Sequence, residues 1–192
     1  MGPEEAAALL LDLAEARPPT LGSGRLVCVD GPAGSGKTTL AAAVAARRPG
    51  TPVLHMDDLY DGWDGLPHLT DQLATLLRPL ARDEPGCYRR YDWHAGHYAE
   101  RVTVPPGPLL VLEGVGSGSR AHADLVTALA WVSAPVDLRL RRGLERDGMA
   151  LADRWHQWML DEDHHFEVDR THERAHLLVD GTGVAPPRAA GP

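Results

Sequence analysis

Residues 25–40 read Arg-Leu-Val-Cys-Val-Asp-Gly-Pro-Ala-Gly-Ser-Gly-Lys-Thr-Thr-Leu, and this stretch decides the fold. The apolar run Leu26 to Val29 predicts a strand, and the helix-forming residues Leu40 to Ala46 predict a helix. Between them stands Gly31-Pro-Ala-Gly-Ser-Gly36-Lys37-Thr38. The spacing G-x-x-x-x-G-K-[ST] between a strand and a helix is typical of a loop that binds the phosphates of a nucleoside triphosphate.

Each residue type in this loop has a physical role at its position. The glycines let successive backbone N–H groups point at an anion, and the positive end of the following helix dipole lies at the same point. Lys37 is expected to reach the β- and γ-phosphates, and the Thr38 hydroxyl is expected to bind Mg²⁺. The predicted nucleotide-binding residues are Gly31, Ala33, Gly34, Ser35, Gly36, Lys37, Thr38 and Thr39.

A chance match of a glycine-rich turn is the alternative, because the chain contains 20 glycines. Lys37 argues against it. Lys37 is the single lysine among 19 basic residues, and it stands where a compact positive charge on a flexible stem is needed. We therefore expect this chain to bind a nucleoside triphosphate.

Composition narrows the remaining possibilities. A chain of 192 residues with 43% hydrophobic residues suits one domain, residues 1–192, and a net charge of −8 argues against nucleic acid as a partner. No apolar stretch reaches membrane-spanning length, and Asp12 and Glu15 interrupt the N-terminal apolar run, which argues against a signal peptide. Two cysteines make no disulfide framework. We expect a cytoplasmic protein without a membrane partner, and the sequence leaves a homo-oligomer open.

Strands and helices alternate along the chain. Periodicity predicts strands over 26–29, 52–56, 109–112, 129–132 and 176–179, and helices over 3–17, 40–46, 68–82, 121–128, 136–146 and 150–168. This alternation predicts an α/β fold, a three-layer sandwich with a five-stranded parallel sheet and helices on both faces. Residues 139–170 are expected to form a helical lid, and the Gly/Pro/Ala-rich tail 181–192 is expected to be frayed.

The segment 83–107 shows no strong period and is rich in aromatic residues and histidines. Long irregular segments in compact domains are usually functional, so we expect it to form part of an acceptor-binding region over residues 57–100. An ordinary surface hairpin is the alternative.

Three candidate site residues follow predicted strands: Gly31, Asp57 and Glu113. Because ligands in parallel sheets lie beyond the carboxyl ends of the strands, these residues are expected to meet in one crevice. Asp57 is the candidate base for a hydroxyl acceptor, and a loop cap or a solvated acid is the alternative. Glu113 can act on Mg²⁺ through bound water. Asp58 ranks second, because on an extended segment it would face away from Asp57.

Two further clusters lie downstream. Arg139, Arg142 and Arg146 share a helix face and could supply charge to a phosphoryl group, whereas pairing with the following acidic helix is the alternative. The acids and histidines from Asp161 to His165 suggest a metal site, but no further Cys or His stands at zinc spacing. A solvent-exposed helix face is therefore the favoured interpretation of this segment. Trp155 and Trp158 are expected to belong to the packing face of that helix.

Together these motifs resemble the uridine kinase family of P-loop nucleoside and nucleotide kinases. Asp57-Asp58-Leu59-Tyr60 is similar to the family's Asp-x-Phe-Tyr, Tyr91-Asp92-Trp93 to its Tyr-Asp-Phe, and Glu113-Gly114 to the Glu-Gly that ends its third strand. Arg139-Leu-x-Arg142 with Arg146-Asp147 resembles its lid helix. The resemblance covers residues 25–180 in the same order.

The resemblance implies roles for particular residues. Asp57 would take the proton of a sugar hydroxyl, and Lys37, Arg142 and Arg146 would act on the phosphoryl group. The residues implied to contact the acceptor are Asp57, Tyr60, Tyr91, Trp93, His94 and Glu113. The chain departs from the family in having no asparagine, Leu59 in place of Phe, and additional tryptophans at 63 and 93. These departures leave uridine itself in question.

The leading hypothesis is an ATP- and Mg²⁺-dependent kinase that phosphorylates a hydroxyl of a small molecule, foremost a nucleoside. A P-loop kinase for an antibiotic, a sugar acid or a cofactor precursor is an alternative. An ATP-binding regulator without acceptor chemistry is another. A GTPase is excluded, since its Asn-Lys-x-Asp element cannot occur without asparagine.

Overall fold

The computed structural model describes residues 2–190 and contains one six-stranded sheet and one separate hairpin. The strand order in the large sheet is β2-β5-β1-β6-β7-β8. Its strands are β1 (Arg25–Asp30), β2 (Val53–His55), β5 (Leu109–Glu113), β6 (Ala128–Ser133), β7 (Leu177–Asp180) and β8 (Arg188–Ala189). The first five in spatial order run parallel, and β8 pairs antiparallel with β7.

The predicted α/β sandwich is therefore confirmed, with six strands in place of five. The additional strand is only two residues long, and it lies in the tail that the sequence predicted to be frayed. Two residues are too few to show a periodicity of two, so no pattern could reveal them. They pair with Leu177 and Leu178 at the edge of the sheet.

The central strand β1 divides two hydrophobic cores. Leu26 and Cys28 point to one face of the sheet, and Val27 and Val29 point to the other, all fully buried. Because helices cover both faces, the four central residues of the strand are all apolar rather than alternating. The apolar run that identified the strand therefore reflects burial on two sides.

Within the described part of the chain, six α-helices form the outer layers. Alanines and leucines of α1 and α2 fill one core, while leucines of α3 and Trp158 of α5 fill the other. The helices are α1 (Pro3–Glu15), α2 (Lys37–Arg47), α3 (Leu69–Leu80), α4 (Val136–Asp147), α5 (Ala152–Asp169) and α6 (Thr171–Arg174). Within residues 2–190 no helix has the length and apolar character needed to cross a lipid bilayer.

The expectation of an irregular segment over 83–107 was wrong, and the hairpin alternative holds. Strands β3 (Gly86–Asp92) and β4 (His97–Val104) pair antiparallel. The register shifts between Arg89 and Tyr91, so the alternation of buried and exposed side chains loses its phase there. This bulge hid the strands from a search for a period of two.

Two shorter segments also differ from the sequence-based expectation. Residues predicted as a helix over 121–128 form the 3-10 segment Arg120–Leu125, where His122 has non-helical backbone angles. The predicted strand over 52–56 ends at His55, and the chain turns at once into the 3-10 helix Met56–Asp58. This early turn changes where the two aspartates point.

Candidate functional site

A cavity of about 910 Å³ opens where strands β1, β2 and β5 end. The phosphate-binding loop forms one side, and indole rings form the other. The predicted site residues on its wall are Ala33, Gly34, Gly36, Lys37, Thr38, Asp57, Tyr60, Trp93, His94, Glu113, Arg142 and Arg146. Gly31, Ser35, Thr39 and Tyr91 lie outside this lining. The structure thus brings the three strand ends together as the topology predicts.

The loop over residues 31–38 has the backbone that its glycines permit. Gly31, Gly34 and Gly36 all have positive φ angles, a region that side chains disfavour. At Gly34 a Cβ atom would also lie 2.5 Å from the backbone oxygen of Arg139, so helix α4 lies directly on the loop. Glycine is required there by both backbone angle and close packing.

The Lys37 ammonium is held by the start of its own loop. Its Nζ donates to the carbonyl oxygens of Gly31 at 2.8 Å and Pro32 at 2.9 Å. Burial lowers the pKa of Lys37, and the surrounding carboxylates, Glu162 foremost, oppose that shift. An ammonium has three N–H donors, so one remains for a phosphate oxygen.

Thr38 and Glu113 meet beside the loop. The Thr38 hydroxyl donates to Glu113 Oε1 at 3.1 Å, and His55 Nδ1 lies 2.5 Å from the same oxygen. A hydroxyl and a carboxylate are hard oxygen ligands, and Mg²⁺ commonly takes one or two protein ligands and completes its shell with phosphates and water. The pair therefore fits Mg²⁺ next to a bound triphosphate, although residues 2–190 contain no cluster of three metal-ligating His, Cys, Asp or Glu side chains.

Asp57 follows β2 on the short 3-10 helix and faces this cavity. Asp57 is exposed to the cavity, but protein atoms surround its carboxylate on the other sides. This burial raises the pKa of Asp57, and the negative charge of Glu113 raises it further. The positive charge of Arg146 opposes this shift more than that of Lys37 does. Asp58 also lies on the cavity wall, contrary to the expectation that it would face away, because the backbone is helical there.

Indole rings form the wall opposite the loop. Trp63 contacts Trp93, Trp155 and Trp158 edge-on, with ring centroids 5.8, 6.2 and 6.1 Å apart. Trp155 and Trp158 pack in the core as expected, and they also line the cavity. The Nε1 of Trp93 donates to the backbone oxygen of Asp57 at 2.9 Å. This bond ties the aromatic wall to the candidate base.

The two tyrosines predicted as acceptor contacts occupy different places. Tyr60 borders the cavity but is only 1% exposed, and its hydroxyl already donates to the Val115 carbonyl at 2.7 Å. Tyr91 lies outside the lining and packs edge-on against Trp93 at 5.3 Å. Tyr91 can therefore act on the cavity only by supporting Trp93.

The three arginines that share one face of α4 separate into two groups. Arg142 donates to the carbonyls of Gly34 at 3.1 Å and Gly181 at 3.2 Å, and Arg146 pairs with Asp147 at 2.7 Å beneath the open cavity. Arg139 is instead buried in an ion pair with Glu162 at 2.7 Å. The expectation that Arg139 would face bound ATP was wrong, because an acid of α5 holds it inside the protein.

Several residues of this site were missed in the sequence. Asp30 is fully buried and accepts N–H bonds from Gly31, Gly116 and Gly118 at 2.7, 2.9 and 2.8 Å. Burial raises its pKa to about 6. An acid at the end of an apolar strand, directly before Gly31, was an available signal. His55 and Glu162 carried no such signal, because their partners are distant in sequence.

A second cavity of about 410 Å³ lies on the other side of the loop. Gly36, Thr39 and Arg142 border it, together with backbone of residues 180–183. Thr39, which does not reach the larger cavity, lies here. The phosphate-binding loop thus lies between the larger and the smaller cavity.

Comparison with known proteins gives matches among solved structures. No protein-family model and no curated protein sequence matches the chain. A possible uridine kinase from Bacillus stearothermophilus is 21% identical, with a TM-score of 0.60 over 90% of this chain and 100% of that one. A proposed fructose transport system kinase from Silicibacter sp. TM1040 is also 21% identical, with a TM-score of 0.65 over 85% and 94% of the two chains. The chain has the P-loop kinase fold.

A third structure extends this comparison. The D-glycerate 3-kinase from Cryptococcus neoformans has a TM-score of 0.56 and 14% identity over 98% of this chain and 99% of that one. The resemblance inferred from the motifs is therefore confirmed for the fold. At these identities the P-loop kinase fold is what the proteins share, and the three names refer to three different acceptors.

Proposed function

We propose that this protein is an ATP-dependent phosphotransferase that passes the γ-phosphate to a hydroxyl group of a small molecule. The observation that carries the proposal is the meeting of Lys37, the Thr38–Glu113 pair and Asp57 in one cavity of about 910 Å³. Phosphoryl transfer requires phosphates held in place, their charge neutralised and an acceptor oriented. Each requirement has a group on this wall.

The loop would bind the donor. The N-terminus of α2, which begins at Lys37, would provide an anion site, and the remaining N–H of the Lys37 ammonium would add a charged donor. Mg²⁺, when bound at Thr38 and Glu113, would neutralise phosphate charge. The smaller cavity beside Thr39 has room for the nucleoside part of ATP.

Asp57 would receive the acceptor proton. As the acceptor oxygen forms its bond to phosphorus, the bond from phosphorus to the ADP oxygen breaks, and the hydroxyl proton passes to the Asp57 carboxylate. A pKa raised by burial brings this carboxylate nearer to the operating pH of a base. Arg146, close enough to oppose that shift, can supply positive charge to the moving phosphoryl group.

The aromatic wall bears on the class of acceptor. Beyond the loop, the cavity wall presents indole rings, His94 and Asp58. Indole rings offer a packing surface to another flat ring. Such a wall favours an alcohol that carries a flat ring, with a nucleoside as the foremost candidate, over a sugar acid, whose carboxylate would lie against apolar rings and the negative charge of Asp58.

The proposal is tested by measuring ADP release from MgATP in the presence of nucleosides, ring-bearing hydroxylated antibiotics, cofactor precursors and sugar acids. We expect acceptor-dependent release with a ring-bearing alcohol and none in Lys37→Ala. Asp57→Asn should lower turnover by about 10²–10⁴-fold while leaving MgADP affinity unchanged, because only the proton acceptor is lost.

Two results would contradict these assignments. If Asp57→Asn keeps most of the turnover, the base has been assigned incorrectly. Slow hydrolysis that no acceptor accelerates would instead favour an ATP-binding regulator.

A further inference from the structure

Glu162 lies at the junction between the phosphate-binding loop and helix α5. Its side chain is completely buried, although a carboxylate is costly to remove from water unless every oxygen is paired. Oε2 accepts the backbone N–H of Ala33 at 2.7 Å, and Oε1 accepts from Arg139 at 2.7 Å. One acid from the C-terminal part of the chain thus holds the loop directly.

The same carboxylate reaches the aromatic wall. Glu162 Oε2 also accepts the indole N–H of Trp158 at 3.2 Å, and Trp158 lines the large cavity and contacts Trp63. A single oxygen is therefore shared between the loop at Ala33 and the wall at Trp158. Any displacement of the loop changes the position of an atom that also fixes the wall.

Helix α4 closes this junction from the other side. The backbone of Arg139 lies against Gly34, leaving no room for a Cβ atom, and its guanidinium turns inward to Glu162. Among nearby charges Glu162 also does most to offset the lowering of the Lys37 pKa that burial causes. The loop, α4 and α5 therefore meet at one buried ion pair.

We propose that Glu162 is a positioning residue that couples the phosphate-binding loop to the aromatic wall through its shared bonds to Ala33 and Trp158. This inference rests on the proposed nucleotide site. Binding of a nucleotide to the loop would change the position or mobility of Trp158. Such coupling is reciprocal, so an acceptor bound against the aromatic wall would change nucleotide affinity by the same factor. Arg139 neutralises Glu162 and keeps the carboxylate aimed at both partners.

The test compares three variants with the wild-type chain. Glu162→Gln keeps the shape but places an NH₂ group against an N–H donor. Arg139→Met with Glu162→Met replaces the pair by apolar side chains, an exchange that often preserves stability. Asp163→Asn removes the same charge from an exposed position one residue away on α5 and is the matched control.

MgADP affinity is measured by calorimetry, and hydrogen–deuterium exchange is followed in residues 31–36 and in α5. We expect MgADP to slow exchange in both segments of the wild type. Both Glu162 variants should still unfold cooperatively. They should bind MgADP about tenfold more weakly, which is the scale typical of lost supporting contacts around a ligand site. In both, MgADP should no longer slow hydrogen–deuterium exchange in α5. Asp163→Asn should match the wild type.

A merely structural ion pair would lower the melting temperature without altering the response of α5 to MgADP. Variants that retain wild-type affinity and the slowing in α5 would overturn the role of Glu162, and so would a loss of cooperative folding in both variants. Failure of the wild type to bind MgADP would instead refute the proposed function, because that measurement does not involve the variants.

Discussion

Replacing Gly143 with alanine should destabilise this protein, although the same change stabilises an isolated helix. Gly143 lies inside α4, where alanine is favoured over glycine by about 1 kcal/mol. A Cβ atom at this position would lie 2.3 Å from Cζ2 and 2.5 Å from Cε2 of Trp155. Trp155 is 2% exposed, and its edge contact with Trp63 and its hydrogen bond to Asp147 oppose displacement of the ring.

The magnitudes decide the sign of the effect. Overpacking a tight contact costs about 1–3 kcal/mol. Displacing the ring also weakens the hydrogen bond from Trp155 Nε1 to Asp147 at 3.0 Å, which contributes about 1 kcal/mol. After the helix gain is subtracted, we expect a net loss of about 1–3 kcal/mol. At about 2–4 °C per kcal/mol for a chain of this size, the melting temperature should fall by several degrees.

Urea unfolding of a double-mutant cycle with Trp155→Phe isolates the contact. Phenylalanine lacks the outer ring atoms that Cβ would strike, so Gly143→Ala should be neutral or stabilising in that background. The sign of the Gly143→Ala effect should therefore reverse between the two backgrounds. Equal effects in both, or a raised melting temperature in the single variant, would refute the reasoning.

Two further outcomes follow from the site. Burial raises the pKa of Asp30 from 3.8 to about 6. The folded state therefore binds this proton more tightly than the unfolded state, and the free energy of unfolding should fall by up to about 3 kcal/mol as the pH rises from 4 to 6. Urea titrations against Asp30→Asn should show the difference between the two proteins shrinking over that range, whereas a constant difference would mean an ordinary pKa. Trp93 is 41% exposed and lines the cavity, so Trp93→Ala should raise the KM for the acceptor by about tenfold. Tyr91 lies outside the lining, so Tyr91→Phe should leave this KM near the wild-type value. Steady-state kinetics with the acceptor that the screen identifies checks this order, and a larger effect of Tyr91→Phe would contradict it.

The order of strands and helices could be predicted because buried elements have a characteristic pattern of apolar residues in the local sequence. Leu26 to Val29 of β1 are all apolar because helices cover both faces of the strand, and Gly31 to Thr38 carry a spacing typical of a phosphate-binding loop. The rule that the carboxyl ends of parallel strands meet at one edge of the sheet then predicts that Asp57 and Glu113 lie near the loop. Periodicity failed at the bulge between Arg89 and Tyr91 and at the two-residue strand β8, where too few residues repeat in phase.

The loop at residues 31–38 was thus determined by the sequence alone, because its chemistry depends on neighbours within eight positions. The tertiary structure decided what surrounds it. Arg139 and Arg146 stand on the same predicted face, yet one is buried against Glu162 and the other borders the cavity. The reason is that Glu162 of α5 lies opposite Arg139, whereas Arg146 pairs with Asp147 of its own helix. Contacts between residues 23 or 129 positions apart leave no local pattern, so folding alone assigns them.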